Sequence, residues 1–194
     1  MPGIANPLTL EIAERLETDR LILRAHQLTD LPAMHAAVEA SHTELNEWMP
    51  WARNEGPQSI AETEGYIRRT MADFILRQMF GYSMLLKADA RYVGNIGVHP
   101  KKWHVPSFEI GYWLNSADAG QGYMSEAAQC LTDYFIQTIG ARRMVIRCNS
   151  RNRASAKVAL KCGYTLEGVS RNNTRDNRGE LVDMESYSIA ITDE

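Results

Sequence analysis

Two glycines two residues apart, Gly120 and Gly122, stand directly before a long amphipathic run in "AGQGYMSEAAQ" (119–129). No other stretch restricts the fold as tightly. Behind the glycines, Tyr123, Met124, Ala127, Ala128, Leu131, Tyr134 and Phe135 recur at helical spacing, which predicts a helix from about Gly122 to Ile139. A glycine that merely ends a helix stands at its other end. A helix start exposes unpaired N–H groups and the positive end of the macrodipole. Glycines just before it let an anionic group come close, and pyrophosphate is the common guest. Taken alone, the pair is equally a tight strand-to-helix turn. It is not a Walker loop, which needs Gly-Lys-Ser/Thr, nor a dinucleotide fingerprint, whose third glycine is here Ser125.

The rest of the chain reads as one soluble domain. A length of 194 residues supports a substantial core, with 1–15 as a loosely held N-terminal extension and 16–194 as the folded unit. A net charge of −3 leaves no domain-wide basic excess for phosphates, so no direct nucleic-acid partner is expected. No apolar run approaches the ~20 residues that span a membrane. The N-terminal "MPGIANPLTLEIAERLE" is not patterned as a signal peptide, so a cytoplasmic protein is expected. Cys130, Cys148 and Cys162 read as reduced core cysteines, with no metal-ligand spacing among them and the histidines. The sequence leaves a homodimer open.

Periodicity predicts strands at 19–26, 81–88, 91–99, 108–114 and 142–149, and two last strands around a turn at Asn177–Gly179. Helices are predicted at about 29–40, 43–49, 59–78 and 152–163, the third opened by a Ser59/Glu62 capping box and the fourth closed by Gly163. Strands alternate with helices but also fall in adjacent runs. The expected class is α/β, a mixed sheet with helices on both faces.

Six segments in order resemble one family: "TDRLILR" (18–24), "LNEWMPW" (45–51), "FEIGYWL" (108–114), "AGQGYMSEA" (119–127), "NRASAKVALKCGYTLEG" (152–168) and "DMESY" (183–187). Together they resemble the GNAT superfamily of acetyl-CoA-dependent N-acetyltransferases, and within it the ribosomal-protein N-terminal acetyltransferases of the RimJ/RimL type. The resemblance implies a single-domain GNAT fold with a central mixed, mostly antiparallel twisted sheet. It implies acetyl-CoA as co-substrate and no metal. The amides of Gly120, Gln121, Gly122, Tyr123 and Met124 are expected to hold the pyrophosphate. Pantetheine is expected along the backbone of Trp113, Leu114 and Asn115, with a hydrogen bond from Asn152, which is equally a helix N-cap. Arg151, Arg153 and Lys157 are candidates for the 3′-phosphate. The family pattern begins with Gln or Arg where this chain has Ala117, so one side-chain contact to the phosphates is lost and the amides remain.

Attack of an amine on a thioester needs a proton acceptor, a donor for the developing oxyanion and a partner for the thiolate. Glu109 is the expected base, because a carboxylate inside an otherwise apolar strand implies a role or a partner. Its other reading is an edge residue paired with a nearby Arg or Lys, and Glu126, Asp183 and Glu185 are rivals. Ser155 matches the serine that protonates the thiolate in RimL-like enzymes. A hydroxyl is a weak acid, so donation of a hydrogen bond is the expectation, against a plain packing role on its helix. Tyr187 reads as core. Trp48 and Trp51 are expected to form one wall of the acceptor pocket, or else to anchor the preceding helices, with Glu47 and Glu55 suiting a cationic acceptor. That acceptor is a protein N-terminus, as on a ribosomal protein, or a small-molecule amine such as a polyamine or an aminoglycoside-like drug. A non-catalytic acyl-CoA-binding module would keep the glycines without needing Glu109.

Overall fold

Alternating apolar residues in the strands on either side of residue 90 build the centre of the molecule. The computed structural model describes residues 4–52 and 56–192, so Glu55 lies outside the described residues. The strands are β1 (Arg15–Glu17), β2 (Leu21–Ala25), β3 (Phe80–Leu86), β4 (Tyr92–Lys102), β5 (Ser107–Leu114), β6 (Arg143–Asn149), β7 (Thr165–Arg175) and β8 (Leu181–Ala190). They form one sheet in the order β1-β2-β3-β4-β5-β6-β8-β7. Every pairing is antiparallel except β5 with β6. The mixed, mostly antiparallel sheet expected from the sequence is the one observed.

Helices α1 (Leu31–Ala40), α2 (His42–Trp48) and α3 (Ile60–Ile75) cover one face, and α4 (Tyr123–Tyr134) and α5 (Arg153–Lys161) cover the other. The capping box at the start of α3 forms, with Ser59 Oγ accepting from the Glu62 amide and Glu62 accepting from the Ser59 amide. Under α4 the core is aromatic. Phe135 lies between Phe80 and Phe108, with ring centroids 5.6 and 5.0 Å away, and all three are fully buried. Each such side chain contributes about 1.5–3 kcal/mol of transfer free energy.

Four elements differ from the sequence expectation, the first being β1, an eighth strand at Arg15–Glu17 that pairs antiparallel with β2. The long helix stops as α-helix at Tyr134 and ends in a π turn, Phe135–Ile139, closed by Gly140 at φ +78°. β4 runs on through Pro100 to Lys102, because β3 ends opposite Val98 and the missing proline N–H then faces no strand. Residues 4–14 are tied down rather than loose. Ile12 is buried in the core, the Ala13 amide donates to Tyr134 Oη, Tyr82 Oη donates to the Ala13 carbonyl, and Arg77 donates to the Leu10 carbonyl.

Candidate active site

The parallel pair carries the site. β5 and β6 are in register from Ser107↔Arg143 only as far as Ile110↔Ile146, whereas β5 stays paired with β4 out to Leu114. From Gly111 onward the edge of β5 that faces β6 therefore has no strand partner. The cleft between them encloses about 240 Å³. Its lining includes Tyr112, Cys148, Asn152 and Ser155 on the side of α4 and α5. It also includes Gly111, Arg147, Trp48 and Met184, together with Thr174–Asn177 from the β7–β8 hairpin. Strand residues alternate faces, so Tyr112 and Gly111 lining one space means that the gap runs through the sheet.

Beyond the end of β5, the glycine loop that leads into α4 is held by specific contacts. Gly120 and Gly122 have φ of +79° and +82°, the left-handed region that glycine enters without penalty. Among the described residues, a methyl group on Gly120 would meet no atom within 4 Å, and no side chain caps the start of α4. The first amides of the helix are thus free to receive an anion. Two distant arginines fix the loop. Arg91 binds Asp118 through two hydrogen bonds of 2.8 Å each. Arg20 donates to the Gln121 carbonyl at 3.0 Å, pairs with Glu126 and lies over the Tyr123 ring at 4.7 Å. Where Ala117 offers no side chain, Arg20 brings a cation to the same loop from the start of β2.

Glu126, a rival for the base, is consumed by this buttress. Burial pushes its pKa up, but hydrogen bonds from Thr18 and Arg20 and the charge of Arg20 outweigh burial and hold it below the usual carboxylate value. Arg20→Met is therefore expected to weaken acetyl-CoA binding roughly tenfold, about one solvent-screened hydrogen bond to a charged group, as calorimetry would read. Unchanged affinity would remove Arg20 from the loop's support.

Ser155 sits in the first turn of α5, with its Oγ 3.0 Å from Tyr112 Oη. Tyr112 is part of the "FEIGYWL" strand, and nothing in the sequence marks it as a partner of Ser155. Burial raises its pKa, so its proton stays on and can be donated to Ser155 Oγ. Tyr112 Oη also donates to the Ser155 carbonyl at 3.3 Å, so the tyrosine grips both the backbone and the hydroxyl of Ser155. Cys148 lines the same wall, its thiol raised by burial. Asn152 caps α5 through Oδ1, which accepts from the Ser155 amide at 3.0 Å, and its Nδ2 has no partner among the described residues. Asn115 is more committed, its Oδ1 accepting from Ser41 Oγ and the Ala117 amide.

The structure gathers Ser155, Asn152 and Trp48 at the cleft, but not Trp51 or Glu109. Trp51 is 39% exposed and touches the buried Trp113 edge-on, with ring centroids 6.2 Å apart. Glu109 lies one strand repeat from Gly111 on the same face, ion-paired with Lys101 at 3.0 Å and opposite His99 in register. Asp183 accepts from the Asn172 amide, and Glu185 accepts from Tyr187 and Arg153, which leaves Tyr187 in the core. Of the phosphate candidates, Arg151 pairs with Glu180 and Arg153 with Glu185, and Lys157 has no ion-pair partner among the described residues. Among those residues there is also no cluster of His, Cys, Asp or Glu that could hold a metal.

Known proteins share this architecture. The family profile described as an acetyltransferase (GNAT) domain matches residues 20–165. The ribosomal-protein-serine acetyltransferase of Escherichia coli is 30% identical over 163 residues, covering 82% of this chain and 84% of its own. RimL, the ribosomal L7/L12 α-N-protein acetyltransferase solved with coenzyme A, superposes with a TM-score of 0.84 at 26% identity, covering 92% of this chain and 98% of its own. The Salmonella typhimurium enzyme that modifies the N-terminal serine of L7/L12 superposes with a TM-score of 0.79 at 26% identity, covering 90% and 97%. From the through-sheet cleft, the glycine-flanked helix start and these matches, the chain belongs to the GNAT family of acetyl-CoA-dependent N-acetyltransferases, within its RimJ/RimL branch.

Proposed function

We propose that this enzyme moves the acetyl group of acetyl-CoA to the N-terminal α-amine of a protein in the cytoplasm, with a ribosomal protein as the acceptor class. The observation that carries the proposal is the cleft that passes through the sheet. A thioester brought along β5 from the α4 side can meet a chain end brought from the α2 side. Glu47, exposed at that mouth and without a partner among the described residues, supplies a charge that attracts an ammonium group. The named relatives support the same acceptor.

The amides of Gly120–Met124 take the pyrophosphate, the free edge of Trp113–Asn115 takes the pantetheine backbone, and Asn152 Nδ2 donates to it. The amine nitrogen forms its bond to the acetyl carbon as the carbon–sulfur bond breaks, and Ser155 donates a hydrogen bond to the departing thiolate. An α-amine of pKa ~8 is about 10% neutral at pH 7, whereas a lysine at ~10.4 is below about 0.1%.

The proton leaves through His99 and Glu109. The His99 ring lies over Gly111, with Nε2 3.6 Å from where a Cβ would stand. Burial lowers its pKa more than Glu109 raises it, so the ring is neutral at pH 7 and can accept. Glu109 stands next to it, and its pair with the half-exposed Lys101 is worth only about 0–1 kcal/mol. For Glu109→Gln the expected result is about a tenfold loss of turnover at pH 7, the deficit of neutral amine, fading as pH rises past the amine's ~8. A variant as fast as the parent at pH 7 would hand the proton to solvent.

The acceptor itself is tested by mass spectrometry after incubation with acetyl-CoA. The panel is a serine-initiated peptide, the same peptide N-terminally blocked but carrying lysine, spermidine and an aminoglycoside. Acetylation confined to the free α-amine is expected. Faster acetylation of spermidine or the aminoglycoside would replace the protein acceptor with a small amine.

A further inference from the structure

The acceptor mouth has two walls, one short and one exposed. One is α2, seven residues long, far below the roughly 12–15 at which an isolated helix becomes even marginal. The other is the far end of the β7–β8 hairpin. Every residue of β7 is exposed, and an irregularity in its pairing between Ser170 and Thr174 bends it away from the flat sheet. At the tip the turn is internally rigid, because Asp176 accepts the amides of Arg178 and Glu180.

Asn177 on that turn reaches across the mouth. Its Nδ2 group donates to the Asn46 carbonyl at 2.7 Å, the Met49 carbonyl at 2.9 Å and Asn46 Oδ1 at 3.2 Å. Asn46 and Met49 lie in and just past the last turn of α2, where helix carbonyls lack intrahelical partners. Asn177 also lines both the inner cleft and an outer chamber of about 270 Å³, which shares Glu47, Trp48, Asn149 and Asp176 with it. It therefore stands where an acceptor chain must pass.

We infer that Asn177 is a positioning residue for the acceptor, a clasp that fixes Trp48 and Met49 against the hairpin so that the inner cleft admits only the first residue of the acceptor peptide. The inference rests on the N-terminal acceptor reading and adds to it the residue that holds the acceptor mouth in shape. The rest of the peptide leaves through the outer chamber.

Asn177→Ala and Asn177→Asp test this on the full chain. With a serine-initiated peptide, Asn177→Ala is expected to raise the peptide KM about tenfold, the worth of one to two hydrogen bonds, with kcat changed less than about threefold. Acetyl-CoA affinity by calorimetry should not change. Asn177→Asp keeps the shape but points a carboxylate at two carbonyls, so it should be worse than Ala. A packing role would make it the milder of the two. Peptide KM values within twofold of the parent in both variants would overturn the clasp. If the parent acetylates no peptide, the N-terminal acceptor reading fails separately, and hydrogen exchange decides the clasp. The Leu45 and Met49 amides of α2 should exchange about tenfold faster in Asn177→Ala, and unchanged exchange would overturn it.

Discussion

Gly122→Val is expected to weaken acetyl-CoA binding more than about a hundredfold while the protein still folds. Gly122 holds φ +82°, and a β-branched residue there costs at least the roughly 1–2 kcal/mol of the left-handed region. Valine escapes that cost by rotating the backbone, which turns the amides of Tyr123 and Met124 away from the phosphates. Losing two hydrogen bonds to a charged group accounts for the hundredfold, at about 1.5–3 kcal/mol each. The added side chain also crowds Arg20, whose Nη2 is 3.5 Å from the position of the new Cβ. The loop is exposed at Gly120 and Gln121 and outside the core, so the melting transition should stay cooperative. Gly122→Ala should fall between the two. Calorimetry on the folded variant reads the effect, and affinity within threefold of the parent would move the pyrophosphate elsewhere.

Ser155→Ala is expected to slow turnover by between about tenfold and somewhat over a hundredfold at saturating acetyl-CoA. That range is one hydrogen bond to a developing thiolate, roughly 1.5–3 kcal/mol. A larger loss that tracked the pKa of the leaving thiol would mean full proton transfer from the serine. A rate within twofold of the parent would reduce Ser155 to packing. The contact with Tyr112 favours the middle outcome. A tyrosine that keeps its proton and is hydrogen-bonded to Ser155 Oγ holds the serine hydroxyl in place, but adds no acid strength to it.

The elements that could be read from the sequence were those specified locally. The capping box of α3, the glycine at the end of α5 and the apolar face of α4 each depend on residues a few positions apart. Seven of the eight strands were visible by their alternation, and the mixed, mostly antiparallel sheet followed from the family resemblance; β1 and the identity of the one parallel pair, β5 with β6, were not. What stayed hidden was long-range. Arg20 meets Glu126 and Gln121 across about a hundred residues, so "TDRLILR" could be recognised as a motif without revealing that it braces the glycine loop. Residues 4–14 lack periodicity because backbone groups and one buried Ile12 hold them, which a pattern of apolar spacing does not register. Glu109 was singled out for the desolvation of its strand, and the lysine that answers it lies on the neighbouring strand. Asn177 looked like a turn residue, which it is, and its grip on α2 exists only in the fold.

Cofactor and acceptor are expected to enter the gap between β5 and β6 from opposite faces of one sheet. A crystal structure with a bisubstrate analogue, coenzyme A joined through its sulfur to the α-nitrogen of a serine-initiated peptide, tests it most directly. The expected structure has the pyrophosphate on the amides of Gly120–Met124, the sulfur beside Ser155, and the peptide leaving between Trp48 and Asn177. An analogue bound with its peptide on the α5 side of the sheet, or with its phosphates away from the glycine loop, would contradict it.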